Sequence, residues 1–324
     1  MYKLVPAISI VMPLFNKERE VGRAIRSAIS QTVTDFELIV VNDGSNDKGP
    51  EIARTITDQR IRVVDQTNRG VSAARNRGIA EARSDFIAFL DADDEWAPDY
   101  LETVLRLAKA CPEAGIFATS YYFCRRGTKR PAVIRSLPES FKEGILSNYF
   151  LVASHSDPPL WTSAVTVRKD AIEAVGGFPV GVIAGEDLLT WARLACRTKI
   201  YYCRQPKAIF YAPDRMDDRP SRYPQVPDRV AAGLMDLIND RALPADVKPA
   251  LSKYLGLWHR MRAVVFIKLN RGAEARRAIC HSRHFGEFSL RFALLFALSL
   301  LPPGLMAKSY YVLNRFRYAF NDGK

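Results

Sequence analysis

Cysteine is scarce and unpatterned in this chain. Cys111, Cys124, Cys196, Cys203 and Cys280 are odd in number, widely scattered and never form a Cys-x-x-Cys pair. That argues against both a disulfide framework and a zinc site. Histidine is scarcer still. His155, His259, His281 and His284 show no Ser/His or Cys/His nucleophile arrangement and read as structural or surface residues. No Gly-x-Gly-x-x-Gly and no Walker loop follows the first apolar segment, which weighs against a dinucleotide or P-loop site. The Met1-Tyr2-Lys3-Leu4 start lacks the apolar stretch and small-residue cleavage site of a secretory signal, so a cytoplasmic setting is expected. No uninterrupted run reaches the roughly 20 apolar residues of a confident membrane span. The nearest approach, Phe292–Ala307, is broken by Pro302-Pro303-Gly304.

What is present is ordinary globular material. The 324 residues are 48% hydrophobic and 25% charged, enough for a sizeable core in one large domain plus a smaller one. The formal net charge of +12 is uneven. From Asp228 onward, 16 Lys/Arg face 7 Asp/Glu, a net of +9, which leaves +3 for the first 227 residues. Such a basic region suits a polyanionic partner or is simply a solvated helical surface. It carries no zinc-finger, homeodomain-like or RNA-recognition signature, so no nucleic-acid partner is expected.

The first half alternates in periodicity. Short apolar, β-branched runs at Ile8–Leu14, Phe36–Val41, Ile61–Val64, Phe86–Leu90 and Gly115–Phe123 read as strands. Between them, helical spacing appears at Val21–Ile29, Ile52–Ile56, Val71–Ala82 and Leu101–Ala108, with Pro98 placed where a first helical turn tolerates it. This alternation predicts an α/β fold with a mostly parallel sheet covered on both faces. The second half is less regular. Ala164–Val167, Ile200–Cys203 and Ala208–Tyr211 read as short strands, Glu186–Cys196 as a helix, Ala212–Pro227 as a linker and Val230–Ser282 as helical. The resulting division is a domain over 1–220 followed by a basic helical C-terminal region over 221–324.

In a parallel α/β sheet, ligands bind beyond the carboxyl ends of the strands. After strand one comes Pro13-Leu14-Phe15-Asn16-Lys17-Glu18, and after strand two Asn42-Asp43-Gly44-Ser45, which serves equally as a capping turn or a ligand contact. After the third strand, Asn68–Asn76 places Arg69 and Arg75 at a loop–helix junction. Arg forks suit phosphate or carboxylate recognition, although surface solvation accounts for Arg69. After the fourth come Asp91, Asp93 and Asp94. Three carboxylates at the end of a buried strand repel one another unless something neutralises them. A divalent ion does so, held by one or two carboxylates and substrate phosphates. A further acidic pair, Glu186-Asp187, opens a helix, where the helix dipole alone favours acidic residues.

Taken in order, Pro-Leu-Phe-Asn at 13–16, Val-Asn-Asp-Gly-Ser at 41–45, Gly-Val-Ser-Ala-Ala-Arg-Asn at 70–76, Phe-Leu-Asp-Ala-Asp-Asp at 89–94, Gly-Gly-Phe at 176–178 and Gly-Glu-Asp at 185–187 resemble the family 2 glycosyltransferases. The likeness runs from about Ile8 to Tyr211. It implies the GT-A fold of the nucleotide-diphospho-sugar transferases and inverting transfer from a nucleotide-sugar donor, usually a UDP-sugar. It also implies roles. Pro13 and Glu18 would form part of the donor cradle, Asp43 would contact the base, Arg75 would line the nucleotide pocket and Asp91 would reach the ribose. Asp93 would bind Mg²⁺ or Mn²⁺ at the diphosphate. Asp187 would be the general base, with Glu186 orienting it or the acceptor, and Trp161 and Trp191 are candidate acceptor or sugar contacts. Three features depart from the pattern. Phe15 replaces a common Tyr, Asn42 replaces a frequent Asp, and the Gln-x-x-Arg-Trp of processive synthases is missing, whereas Trp191 with Arg193 resembles single-addition enzymes. The resemblance therefore implies transfer of one sugar to a glycan or lipid-linked glycan in cell-surface polysaccharide synthesis. A non-catalytic nucleotide-sugar-binding module is the alternative. A nucleotidyltransferase would want a Gly-rich, basic loop after strand one, which Pro13–Glu18 does not provide.

The C-terminal apolar run has two settings open to it. Leu290, Phe292, Leu294, Leu295, Phe296 and Leu298, flanked by Arg291, Lys308, Arg315 and Arg317, suit the surface of an anionic leaflet such as the inner membrane face. They equally suit a helical hairpin packed on the protein.

Overall fold

The computed structural model describes residues 5–212, 223–285 and 290–321, with side chains omitted at 290–291 and 314–321. Most of the linker expected over 212–227 and the side chains of Arg291, Arg315 and Arg317 thus lie outside the described residues. The chain divides into two compact units, Met1–Ser221 and Arg222–Lys324.

The first unit runs β1 (Ile8–Leu14), α1 (Val21–Ile29), β2 (Phe36–Asp43), α2 (Gly49–Thr55), β3 (Ile61–Gln66), α3 (Val71–Glu81), β4 (Phe86–Phe89), β5 (Glu95–Trp96), α4 (Tyr100–Ala110), β6 (Ala114–Arg125), β7 (Thr128–Pro131), β8 (Glu143–Ile145), α5 (Tyr149–His155), a 3₁₀ turn (Thr162–Ala164), β9 (Val165–Arg168), α6 (Lys169–Ala174), α7 (Glu186–Ala195) and β10 (Lys199–Tyr211). One ten-stranded sheet has the order β3-β2-β1-β4-β9-β6-β10-β5, with β7 on β6 and β8 on β10. The fold is α/β, with helices flanking a large central sheet.

The β3-β2-β1-β4 half is parallel throughout, as helical crossovers require. β1 and β2 are buried along nearly their whole length, which explains their largely apolar sequences, and the buried polar exceptions Ser9 and Glu37 satisfy each other, Ser9 Oγ donating to Glu37 Oε1 at 2.7 Å. α3 lies so close to β1 that a Cβ on Gly78 would come within 2.3 Å of Val11 Cγ1. Only glycine allows that approach, and it seats Arg75, one turn earlier on α3, near the strand ends.

The other half is mixed. β9 runs antiparallel to both β4 and β6, and β5, β7 and β8 all pair antiparallel. Two expectations change here. The segments expected as separate strands at Ile200–Cys203 and Ala208–Tyr211 form one strand, parallel to β6, with register shifts around Pro206. Proline cannot donate to the ladder and sits at such irregularities. Pro98 lies outside α4, which begins at Tyr100 after an Asp99 N-cap position.

The second unit is helical: α8 (Arg229–Asn239), α9 (Lys248–Lys268), α10 (Gly272–Arg283), α11 (Leu290–Leu298) and α12 (Leu305–Asn321). Asp228 anchors its start. Its carboxylate accepts from the Ala231 N–H (3.0 Å), which caps α8, and from Trp258 Nε1 (3.1 Å), and it pairs with Arg262 Nε at 2.9 Å. Ala263 and Ile267 of α9 and Ala275 and Ile279 of α10 share a core with Phe292, Leu295 and Leu298 of α11. The inner face of the C-terminal apolar run therefore packs on the helices of its own unit. No described helix is long and apolar enough to cross a membrane.

His259 is buried in this unit, 5.3 Å from the His281 ring and stacked on Phe285. Burial lowers its pKa to about 4, with His281 and Arg262 adding to the effect against the opposing pull of Asp228. A base whose folded pKa is depressed binds fewer protons folded than unfolded between the two values. Stability should therefore fall as pH drops from about 6.5 towards 4. Urea midpoints for the wild type and His259→Gln across that window check this, and the variant should show the shallower decline.

Candidate functional site

The site is built where the carboxyl ends of β1, β2 and β4 meet the N-termini of α3 and α7. Asp43 ends β2 and is buried. Its carboxylate accepts from Gln66 Nε2 (2.7 Å) and from the N–H groups of Arg69 (2.9 Å) and Gly70 (2.8 Å). It thereby closes the loop that leads into α3, and one acceptor position remains on Oδ2. Pro13 sits near the end of β1, in register with Val41 of β2. Glu18 locks two loops together. Its N–H donates to Asp47 Oδ2 (2.8 Å), and its Oε2 accepts from the Lys48 N–H (3.2 Å).

Arg75 is the centre of the arrangement. Its side chain is 4% exposed, with Nη2 2.8 Å from Asp91 Oδ1 and Nη1 3.4 Å from Glu186 Oε1. The guanidinium also lies over the Phe178 ring. Burial alone would lower its pKa, but the carboxylates of Asp91 and Glu186 hold it above the ordinary arginine value. Arg75 therefore meets the Asp91 and Glu186 carboxylates from a buried position. Asn76 works beside it. Its Nδ2 donates to the Phe178 carbonyl and its Oδ1 accepts from the Phe178 N–H, both at 2.8 Å. This two-way clamp fixes the Gly176-Gly177-Phe178 turn that precedes α7.

α7 starts after Gly185, whose φ of 83° lies in the left-handed region that glycine tolerates. Glu186 is buried, and its carbonyl accepts from Thr190 Oγ1. Asp187 follows in the first turn, half-exposed, with Oδ1 accepting from the Leu188 N–H. The helix N-terminus favours both carboxylates.

The three aspartates after β4 separate in purpose. Asp91 faces Arg75, and its N–H donates to Ser163 Oγ (3.1 Å). Asp93 faces solvent and pairs with Lys17 Nζ at 2.7 Å, while its carbonyl accepts from Arg23 Nη2 at 2.6 Å. Asp94 turns inward and accepts from Ser163 Oγ (2.6 Å) and Trp161 Nε1 (3.1 Å). Burial, reinforced by Asp93 and Asp91, pushes the Asp94 pKa well above the usual carboxylate range. The charge that the sequence alone assigns to a divalent ion is thus met in part by Arg75, Lys17 and the burial of Asp94. Among the described residues no group of three or more His, Cys, Asp or Glu forms a ready-made metal cage. The hard, solvent-facing oxygens of Asp93 still fit Mg²⁺ or Mn²⁺, ions that need only one or two carboxylates plus substrate phosphates.

Trp161 is half-buried. Its ring sits 4.2 Å from that of Phe210 and 5.4 Å from that of Tyr121. Trp191 corrects an expectation. It is 1% exposed and packs on Phe89 and Phe178, so its indole belongs to the core and offers no face to an acceptor or sugar. Lys17, Arg23 and Ser163 carry no role in the sequence reading, and Asn76 enters it only as part of the Asn68–Asn76 junction. The cue for Lys17 was a lone cation in the loop after strand one. Ser163 offered none, because its partners are 69 and 72 positions away.

The family model described as "Glycosyl transferase family 2" matches residues 9–175, just over half of the chain. The chain belongs to glycosyl transferase family 2. Among curated relatives, the putative glycosyltransferase EpsH of Bacillus subtilis is 44% identical over 105 residues, covering 32% of this chain and 30% of that protein. The chain spans less than half the length of the curated relatives it matches. Among solved structures, S. aureus TarS 1-349 in complex with UDP-GlcNAc superposes with a TM-score of 0.67 at 15% identity, over 94% of this chain and 91% of that one. The mannosyltransferase PcManGT from Pyrobaculum calidifontis, in complex with GDP-Man and Mn2+, gives 0.58 at 21% identity over 90% and 79%. At these identities the superpositions establish the GT-A-type fold.

Removing Arg75 would leave two carboxylates without their shared counter-charge. Arg75→Met is expected to cost about 3–5 kcal/mol in urea unfolding. Arg75→Lys should recover only part of that, because a compact ammonium lacks the planar fork whose separate nitrogens reach the two carboxylates.

Proposed function

We propose that this protein is an inverting glycosyltransferase that moves one sugar from a nucleotide-sugar donor, a UDP-sugar by preference, to a glycan or lipid-linked glycan of cell-surface polysaccharide synthesis. The observation that carries the proposal is the contact of a single guanidinium with both Asp91 and Glu186. It brings the carboxylates after β4 and those opening α7 into one site, as displacement at a sugar carbon requires. The donor complexes of TarS and of the mannosyltransferase, with UDP-GlcNAc and with GDP-Man and Mn2+, support the donor class.

In this reading Asp43 offers its open acceptor position to the base, and Pro13 and Glu18 shape the cradle. Asp91 faces the ribose, and Arg75 acts from behind it as a positioning residue. Asp93 would hold a divalent cation at the diphosphate of the donor. Such an ion, when bound, offsets the charge that builds on the departing diphosphate. Asp187 takes the proton from the acceptor hydroxyl, and Glu186, held by Arg75, fixes the start of α7 beneath it. The acceptor oxygen bonds to the anomeric carbon as the bond to the phosphate oxygen breaks, and the nucleoside diphosphate leaves with the electron pair. Trp161 provides an aromatic surface for acceptor or sugar.

Release of nucleotide from a panel of UDP-, GDP- and dTDP-sugars with Mg²⁺ or Mn²⁺ tests this reading. Asp187→Asn and Asp93→Ala should each lower turnover by at least about 10²-fold, the low end of what a positioned base contributes. Tight UDP binding without turnover by the wild type would favour a non-catalytic binding module instead.

The proposal extends to the membrane surface on the cytoplasmic side. Leu294, Phe296, Leu300, Leu305, Val312 and Leu313 are exposed, all within the stretch from Asp228 onward that carries a net charge of +9. Apolar area beside basic residues favours peripheral docking on an anionic leaflet. The protein should float with phosphatidylglycerol vesicles. Leu300→Glu combined with Leu305→Glu should leave it at the bottom of the gradient, and flotation of that variant would count against docking through this surface.

A further inference from the structure

Asp91 and Asp93 leave the same turn, and each carries a cation, but the two cations differ in freedom. Arg75 is 4% exposed and wedged between Asp91 and Glu186 over the Phe178 ring. It has nowhere to go. Lys17 is 39% exposed at its side chain, and its Nζ meets Asp93 Oδ2 at 2.7 Å.

The backbone on both sides of this pair is held. Asn16, with φ at 52°, donates its N–H to Ser45 Oγ (3.2 Å), and its Oδ1 accepts from the Asn46 N–H (2.8 Å). Glu18 is locked to Asp47 and Lys48. On the other side, Arg23 Nη2 holds the Asp93 carbonyl at 2.6 Å. What can move is the four-carbon stem of Lys17, whose ammonium is a compact point charge with freely rotating donors.

We propose that Lys17 is the exchangeable counter-ion of Asp93. It neutralises the carboxylate before a divalent cation binds, yields that oxygen to the cation, and then pairs with the diphosphate of the donor. The proposal rests on reading Asp93 as the cation-binding carboxylate. The physics is competition for one anion. An ammonium 2.7 Å from Asp93 Oδ2 already neutralises the charge that a metal would use, so a metal binds this carboxylate in competition with the pair. A diphosphate supplies the displaced ammonium with a new anionic partner. Cation and nucleotide should therefore assist one another, and the coupling must be reciprocal. Arg75 could not play this part, because releasing Asp91 would also release Glu186.

The test is calorimetric titration of Mn²⁺ alone, followed by UDP in saturating Mn²⁺, into the full chain and its Lys17→Met and Asp93→Asn variants. Lys17→Met should bind Mn²⁺ alone roughly two- to fivefold more tightly, the scale of an exposed ion pair. It should bind UDP in Mn²⁺ roughly ten- to a hundredfold more weakly, the loss of a hydrogen bond between charged groups. Asp93→Asn should weaken Mn²⁺ binding. If Lys17→Met binds Mn²⁺ no more tightly than the wild type while Asp93→Asn weakens it, the exchange is refuted and the metal assignment stands. If Asp93→Asn binds Mn²⁺ as the wild type does, the metal assignment itself fails and the exchange falls with it.

Discussion

A guanidinium held between two carboxylates governs how this site is assembled. Arg75 comes from α3, Asp91 from the turn after β4 and Glu186 from the first turn of α7, 111 positions further along the chain than Arg75. Buried ion pairs are poor stabilisers when compared with well-packed apolar substitutes, yet breaking one by removing a single partner is costly. That asymmetry makes the group a device of position. The packing of α3 on β1 through Gly78 and the Asn76 clamp on the turn before α7 both bring backbone to where the guanidinium needs its partners. A buried cation with two anionic partners specifies their separation more tightly than either pair could alone.

The same electrostatic constraint explains the turn after β4. Three aspartates within four residues cannot all be ionised in one unscreened place. The fold separates them by direction. Asp91 looks back to a buried arginine, Asp93 looks out to a half-exposed lysine, and Asp94 looks inward to Ser163 and Trp161. Of the three, Asp93 combines solvent access with a counter-ion that can leave, so it is the one suited to meet a cation brought with a substrate. Asp94 serves instead to tie the turn to the 3₁₀ segment and to the aromatic surface around Trp161.

Much of this was legible in the sequence, and the limits follow from physics. β1, β2 and β4 are apolar runs because the sheet buries them, and the helices between them show their spacing because one face is buried. β5 has two residues, and all four positions of β7 are exposed, so neither leaves a hydrophobic pattern. Both exist because a neighbouring strand offers hydrogen bonds. β10 read as two strands because Pro206 interrupts its pattern, although β6 carries the ladder past it with shifted register. The acidic residues of the site stood out as motifs. Of their counter-ions, Arg75 stood out within the 70–76 motif, whereas Lys17 did not, since a lysine in a loop looks solvated until its distant partner is placed beside it. Trp191 misled for the converse reason. Its neighbourhood in sequence is that of the site, while its side chain shares the buried face of α7 with Leu194.

A double-mutant cycle on Asp91→Asn and Glu186→Gln, read by urea unfolding, tests the central claim most directly. If Arg75 holds both carboxylates at once, the two substitutions share a partner, and their effects must depart from additivity by more than about 0.5 kcal/mol. Additive effects would show that the two carboxylates are held independently, and would contradict the assembly of the site around a single guanidinium.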